Sequence, residues 1–189
     1  MNGAGAVAQP NIKRAPATAG RAVAPLPAEQ TQQYLTFTLG GELFAIGILG
    51  IKEIIEYSSL TQVPMMPAYL RGVINLRGAV VPVADLLVRF GKQPSEVTKR
   101  TCIVIIEINA NGERQDVGVV VDAVDSVLDI PGSEIEPPPA FGTRIATHFI
   151  QGMGKVNGRF VILLDVNYVL GADEMALLVH TTAAPEQQS

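Results

Sequence analysis

The sequence predicts an all-β protein made of two packed, five-stranded barrels that arose by internal duplication. Three observations support this prediction: strand-like segments paired across two-residue turns, strands that are apolar without interruption, and a second half that repeats the spacing of the first. The chain has 189 residues, of which 48% are hydrophobic and 17% charged, enough for one domain or two very small ones. No long helical pattern separates the strands, as the crossovers of a parallel sheet would require, so antiparallel pairing is expected.

The composition divides the chain into a body and two tails. Residues 1–33 are rich in Ala, Pro and Gly and hold four charged residues and no aromatic before Tyr34. Such a segment cannot bury enough surface to offset its ordering entropy, so we predict a mobile tail. Residues 34–178 form the predicted folded domain, with a first barrel over about 34–98 and a second over about 99–171. Residues 179–189 are predicted to be a flexible C-terminal tail.

Short turns separate the strands of the body. Gly40-Gly41, the stretch NANGE at 109–113 and Asn157-Gly158 each lie between two apolar segments and predict β-hairpins. Asn157-Gly158 is the strongest of these signals, because Asn-Gly suits a type I′ turn, in which both central residues have positive φ. The segments on either side of the second turn, 103–106 and 117–121, are apolar without alternation. Both faces of these strands must therefore be covered, which predicts two layers pressed together.

An internal repeat relates the two halves of the body. With residue n placed over residue n+80, glycines, aspartates and apolar residues coincide without a gap. The matches are Gly72 with Gly152, Gly78 with Gly158, Val81 with Val161, Asp85 with Asp165 and Gly91 with Gly171. Upstream, residues 44–55 match residues 117–128 at a shift of 73. Each half then holds about five short strands, the size of a small barrel.

Both halves end in the same short helix signal. Asp85 precedes an apolar segment that ends before Gly91, and Asp165 precedes one that ends before Gly171. Asp is a favoured N-cap and Gly a favoured residue just beyond a helix C-terminus. The two aspartates are therefore predicted to be structural caps.

The repeat also suggests where two arginines lie. Gly78 matches Gly158, so Arg77-Gly78 should form a turn with Arg77 projecting from its tip. Arg71 precedes the first strand of this hairpin and should likewise lie at a strand end. These arginines are either solvated charges without a role or contacts for a partner. Pro82 lies in the strand that follows, and proline in a strand predicts an edge position.

The remaining sequence argues against several function classes. Fourteen basic and eighteen acidic residues give 14 − 18 = −4, and Trp is absent, so neither a basic field nor stacking platforms favour nucleic acid. Cys102 is the single cysteine and the histidines are two, His148 and His180, without metal-binding spacing. We expect no catalytic residue, metal or cofactor.

The uncharged segments are too short to span a bilayer, and no secretion signal is evident, so a cytoplasmic protein is expected.

Several segments together resemble one known family. The stretches "LTFTLGGELFAIGILGIKEII", "YLRGVINLRGAVVPVADL" and "FIQGMGKVNGRFVILLDV" are similar, in order and spacing, to the CheW coupling proteins of bacterial chemotaxis. The likeness covers about residues 34–178. It implies two packed SH3-like barrels and a non-enzymatic adaptor that joins the cytoplasmic signalling domain of a chemoreceptor to the regulatory domain of the histidine kinase CheA, in receptor arrays at the inner membrane.

The resemblance also implies partner-binding residues. Arg77 matches the arginine of the family's "NLRG" block, Glu53 matches an acidic position, and Arg71 falls where the family carries a basic residue. Ile51 and Gly72 match positions near the receptor-facing groove. Charges of this kind on a rigid barrel fix register and partner choice more than affinity.

Alternatives to this interpretation remain. A paralogue of the same adaptor could serve pilus motility or another chemosensory pathway. A small barrel that binds oligosaccharides or oligonucleotides also suits duplicated five-stranded units, although it predicts basic stripes and aromatics that this chain lacks. A hydrolase on a β scaffold predicts a nucleophile beside a base, and the sequence offers none.

Overall fold

The computed structural model describes residues 30–139 and 145–171, and these residues form eleven strands and two short helices. The strands are β1 Thr31–Leu39, β2 Glu42–Gly47, β3 Ile51–Glu56, β4 Leu70–Leu76, β5 Ala79–Asp85, β6 Cys102–Ala110, β7 Glu113–Val121, β8 Ala123–Pro131, β9 Ile135–Glu136, β10 Ile150–Val156 and β11 Arg159–Leu164. The helices are α1 Leu86–Arg89 and α2 Val166–Val169. Short 3-10 turns at Ile48–Gly50, Gly132–Glu134 and Thr147–Phe149 connect some of them.

These strands form two sheets. One has five strands in the order β3-β6-β7-β5-β4, and the other has six in the order β8-β1-β2-β11-β10-β9. We call them the five-stranded and the six-stranded sheet. The all-β fold with two barrel-like units is thus confirmed, and the short strand β9 is the additional member of the larger sheet.

All the predicted hairpins are present. β1-β2, β4-β5, β6-β7 and β10-β11 pair antiparallel in the expected registers. Their tips are Gly40-Gly41, Arg77-Gly78, Asn111-Gly112 and Asn157-Gly158, and both residues of each tip have positive φ. Positive φ at both central residues defines the type I′ family of turns, whose twist matches that of the flanking strands.

The predicted division of the barrels near residue 98 is wrong, because the two halves exchange hairpins. β1-β2 from the first half lies in the six-stranded sheet, and β6-β7 from the second half lies in the five-stranded sheet. The sequence repeat shows which segments are equivalent, but it does not show which copy pairs with which. Residues 51–121 therefore supply one sheet, and residues 31–47 together with 123–164 supply the other.

Each sheet also contains one parallel ladder, which the expectation of antiparallel pairing did not include. Val83 of β5 lies opposite Gly118 of β7, and Leu163 of β11 lies opposite Ala45 of β2. Residue 163 is 83 + 80 and residue 118 is 45 + 73, so the two ladders are related by the same shifts as the sequence repeat. The repeat is thus present in the strand register as well as in the sequence.

Strand β5 is not an edge strand, so the prediction drawn from Pro82 is also wrong. β5 lies between β4 and β7. Proline has no backbone N–H to donate to a neighbouring strand. It is tolerated at position 82 because the parallel pairing of β5 with β7 begins one residue later, at Val83.

The core explains why some strands are apolar on both faces. Alternate residues of β6 belong to different clusters: Val104 and Ile106 pack in a large cluster shared by both sheets, whereas Ile103 and Ile105 pack inside the five-stranded sheet. A third cluster, which includes Tyr34 and other residues, fills the six-stranded sheet. The two units therefore share one core and also have one each, as two pressed layers require.

The predicted boundaries of the tails need one correction. Thr31–Gln33 belong to β1 and pair with β8, so the folded body begins three residues earlier than expected. The remainder of the predicted N-terminal tail and the predicted C-terminal tail lie outside the described residues.

Candidate functional site

Arg77 occupies the tip of the β4-β5 hairpin, as the repeat predicted. Its side chain is 78% exposed, and one guanidinium nitrogen lies 2.8 Å from a carboxylate oxygen of Glu53. Glu53 belongs to β3, the strand at the opposite edge of the same sheet. The ion pair therefore connects the two edges of the five-stranded sheet and gives the exposed guanidinium a defined direction.

The backbone of Arg77 is in a conformation that arginine rarely adopts. Its φ is +52°, in the left-handed region, where Asn and Gly are favoured. The three other two-residue tips carry Gly or Asn at this first position. The turn is held by Asn75, whose side-chain oxygen accepts a hydrogen bond from the Gly78 N–H at 2.9 Å. Arg77 is thus a strained residue on an ordered tip, a combination often found at functional sites.

Exposed apolar side chains lie on the same two elements as this ion pair. Ile54, next to Glu53 on β3, is 43% exposed, and Val80, three residues after Arg77, is 62% exposed. Isolated exposed apolar residues are ordinary, but apolar groups on elements that also carry an oriented charge are typical of a protein contact.

The second half of the chain keeps this arrangement without its charges. By the two repeat shifts, Ser126 corresponds to Glu53 and Asn157 to Arg77, and both line a groove of about 580 Å³ at the mouth of the six-stranded sheet. Val127 and Phe160 correspond to Ile54 and Val80, and they too are exposed, at 46% and 53%. The second half therefore has no ion pair at the positions equivalent to Arg77 and Glu53, although Asp125 and Arg159 line the same groove.

Arg71 is not the solvated strand end that the sequence suggested. Its Nε lies 2.9 Å from an oxygen of Asp85, and its side chain is only 18% exposed. The same guanidinium donates to the Ser95 carbonyl and, at 3.4 Å, to the Tyr57 hydroxyl. The fully buried Asp85 carboxylate needs this counter-charge, so Arg71 is a structural residue here.

Two further predicted site residues, Gly72 and Ile51, are partly or fully covered by other groups. Gly72 is buried with φ +155°, and a Cβ at this position would stand 2.5 Å from the Thr61 carbonyl oxygen. Thr61 forms a bridge to β4 there, so only glycine fits. Ile51 lies opposite Ile106 in the β3-β6 ladder and packs against the shared core.

The predicted site therefore separates into two groups. Arg77 and Glu53 come together at the tip, whereas Arg71 lies six residues away at the other end of β4, about 20 Å along an extended strand. Gly72 adjoins Arg71, and Ile51, which is partly buried, lies two residues from Glu53.

Sequence reasoning did not identify two features of β3 and the turn that precedes it. Lys52 lies 2.7 Å from Asp116 and 3.1 Å from Glu107, and the hydrogen bonds that its ammonium donates to these carboxylates raise its pKa. Leu49, in the turn before β3, is fully exposed. The exposure of Leu49 had one signal in the sequence: it lies between Gly47 and Gly50, and glycines on both sides indicate a turn rather than a continuing strand.

The described residues include neither a metal-binding cluster nor a membrane-spanning helix. Within residues 30–139 and 145–171, no group of three or more His, Cys, Asp or Glu side chains is placed to hold a metal ion. In the same part of the chain, no helix is long and apolar enough to cross a membrane. The ordered features are an oriented surface charge and exposed apolar groups on rigid strands, which define a protein of the binding class.

Comparison with known proteins identifies the family within that class. Residues 33–174 match the model of the CheW-like domain, and the chain belongs to this family. It is 38% identical over 147 residues to the chemotaxis protein CheW of Klebsiella aerogenes, an alignment that covers 78% of this chain and 86% of that protein. It is 30% identical to protein FrzA of Myxococcus xanthus, with 69% of this chain and 79% of that one covered.

A solved structure supports the same assignment. The scaffolding protein TtCheW from Thermoanaerobacter tengcongensis is similar with a TM-score of 0.67 and 34% sequence identity, covering 74% of this chain and 88% of that one. The chain is accordingly a chemotaxis coupling protein, an adaptor in chemosensory signalling.

Proposed function

We propose that this adaptor joins the cytoplasmic signalling domain of a chemoreceptor to the regulatory domain of the histidine kinase CheA, acts by binding alone, and does so in receptor arrays on the cytoplasmic side of the inner membrane. The family assignment supports the coupling role, and the Arg77–Glu53 pair carries the proposal on the surface of the molecule. A strained, ordered and highly exposed arginine at a hairpin tip has little structural use.

The Arg77 guanidinium is the direct contact in this proposal. Glu53 holds one nitrogen at 2.8 Å and leaves most of the guanidinium open to solvent. An arginine whose direction is already fixed loses less side-chain freedom when a partner carboxylate binds, and its planar fork suits two parallel hydrogen bonds. Glu53 therefore has two roles, as an orienting residue and as part of the contact.

Arg71, Gly72 and Ile51 support this contact from below. Arg71 anchors the start of β4 to Asp85, and Gly72 allows Thr61 to lie against the same strand. Ile51 fixes β3 to the shared core two residues before Glu53. Substitution of these three residues should impair coupling by shifting the hairpin rather than by removing a contact.

The test is a reconstituted mixture of receptor fragment, kinase and adaptor variant, with kinase activity as the readout. Arg77→Glu should abolish kinase activation, because charge reversal at an interface replaces an attraction with a repulsion that costs several kcal/mol. Its stability should fall by no more than about 1 kcal/mol, because an exposed ion pair is lost and a second carboxylate is placed beside Glu53. Normal activation by a normally melting Arg77→Glu variant would contradict the proposal.

Two controls separate the charge from its position. Arg159→Glu reverses an exposed charge beside the equivalent tip of the second half, and it should leave activation unchanged. Arg77→Asn removes the charge while keeping a residue suited to positive φ, and it should lose coupling without loss of stability. If Arg159→Glu were as damaging as Arg77→Glu, net charge rather than this site would be responsible.

A further inference from the structure

A groove lies where the two sheets meet, away from the Arg77 tip. Its lining comes from the start of β1, the turn before β3, and the start of α2, together with Glu107 and Gln151, and its volume is about 490 Å³. We call it the junction groove. Leu49 forms part of its wall and is fully exposed, although an apolar side chain at a groove normally has a covering group.

The charge of the junction groove is negative. Its lining includes Glu107 and Asp165 and no lysine or arginine. Glu107 is shared with Lys52 and Arg114, so Asp165, which caps α2 and is partly exposed, supplies most of the unbalanced charge. An occupant of this groove should combine apolar side chains with a basic residue.

The N-terminal segment enters the fold at the rim of this groove. Thr31–Gln33 pair with β8 on one side, whereas pairing with β2 begins only at Tyr34 opposite Gly47. Among the described residues the other edge of these three residues has no strand partner, and it borders the groove, which they help to line. The Gln30 carbonyl is fixed by a hydrogen bond from the Gly132 N–H at 3.0 Å.

The sequence just before this entry point has the required chemistry. Residues 20–29 read GRAVAPLPAE, with Arg21, Val23 and Leu26 among two prolines. Proline favours the polyproline II conformation, and in a helix of that kind, with three residues per turn, Val23 and Leu26 would share a face. Leu26 is five residues from Thr31 and so reaches at most about 18 Å, enough to lie against a groove that Thr31 itself borders.

We infer that residues 20–29 of the same chain dock in the junction groove, with Leu26 against Leu49 and Arg21 toward Asp165. This inference does not rest on the role of Arg77. A short tether gives an effective concentration in the millimolar range, so even a contact with a millimolar dissociation constant would be about half occupied. A partner that needs the groove must then displace the segment.

The absence of tryptophan from the chain gives a direct test in the full-length protein. Leu26→Trp introduces the single indole of the chain at the proposed contact, and Val7→Trp introduces one far upstream in the same segment; excitation at long wavelength avoids the four tyrosines. With half occupancy, acrylamide should quench the indole of Leu26→Trp with a constant about twofold lower than that of Val7→Trp. Its emission should also lie at shorter wavelength.

Second substitutions in the Leu26→Trp background locate the contact. Leu49→Asp should restore the higher quenching constant, whereas Met65→Asp, at a residue that is 99% exposed and does not line the groove, should not. Equal quenching for the two tryptophan variants would overturn the inference, and so would protection that survives Leu49→Asp. Protection that grows with protein concentration would also overturn it, because the occupant would then be a second copy of the chain.

Discussion

The two capping aspartates occupy equivalent positions in the repeat but very different surroundings. Asp85 is fully buried and accepts hydrogen bonds from the Leu87 N–H, the Ser95 N–H and the Ser95 hydroxyl, in addition to its ion pair with Arg71. Asp165 is partly exposed, and among the described residues it accepts only from the two N–H groups of Asn167 and Tyr168. The same residue is therefore a local cap in one half and the centre of a polar network in the other.

The neighbours of each aspartate account for the difference. Arg71 is matched in the repeat by Gln151, which carries no charge, and Ser95 comes from the connection between α1 and β6 that covers the first cap. A carboxylate removed from water needs both a counter-charge and hydrogen-bond donors. The connection covers Asp85, and Arg71 supplies its counter-charge. Asp165 stays partly exposed to solvent, so the uncharged Gln151 is sufficient at the equivalent position.

The largest effect should follow from Asp85→Ala. This change removes an N-cap and leaves the mostly buried Arg71 without a counter-charge, so we expect a loss of about 3–4 kcal/mol in the free energy of unfolding. Urea denaturation monitored by circular dichroism would measure it. A loss no greater than that for Asp165→Ala would mean that the network adds nothing to the cap.

The next effect should come from Arg71→Met, which keeps the volume of the side chain but removes its charge. Asp85 retains three hydrogen bonds, so we expect a smaller loss of about 2 kcal/mol. In a double-mutant cycle with Asp85→Asn, the two losses should fall short of additivity by about 1–3 kcal/mol. Strict additivity would show that the two groups do not interact in solution.

Asp165→Ala should cost about 1 kcal/mol, the usual value of a lost N-cap. Binding to receptor and kinase should not weaken at low temperature, because the contacts of this aspartate, its helix cap and the proposed one with Arg21, lie within its own chain. A variant that melts normally yet fails to bind would show instead that Asp165 contacts a partner.

The smallest effect should appear at the two equivalent hairpin tips. Arg77→Asn should raise stability by about 0.5 kcal/mol, because relief of the left-handed conformation slightly exceeds the loss of an exposed ion pair. Asn157→Arg should lower it by about 1 kcal/mol, since no residue in the position of Glu53 compensates. Thermal unfolding of both variants would measure the two changes, and opposite signs are the decisive result.

Much of this fold could be predicted from local signals. The Gly-Gly and Asn-Gly tips, the aspartate caps and the type of each hairpin depend on residues near one another in the chain, and each is as expected. The projection of Arg77 followed from the match of Gly78 with Gly158 in the repeat.

The exchange of hairpins and the burial of Arg71 could not be predicted in the same way. The hairpins β1-β2 and β6-β7 are equivalent in the repeat, so either could pair with the strands of either sheet. Long-range contacts decide which pairing forms, and these are not visible in the local sequence. Arg71 precedes a glycine in a strand, a pattern equally compatible with a solvated strand end and with a buried ion pair. The ion pair is buried because Ser95, 24 residues further along the chain, covers Asp85 and Arg71.

The hairpin exchange has a consequence for biosynthesis. β2 must wait for its parallel partner β11, and 159 − 47 = 112 residues separate the end of one from the start of the other. At about 5–20 residues per second, this delay is about 6–22 s on the ribosome. The five-stranded sheet is synthesised completely by residue 121, but the first hairpin of the nascent chain remains without its permanent neighbour. Phe44, fully buried in the finished protein and opposite Ile162 of β11, lacks that cover during the interval.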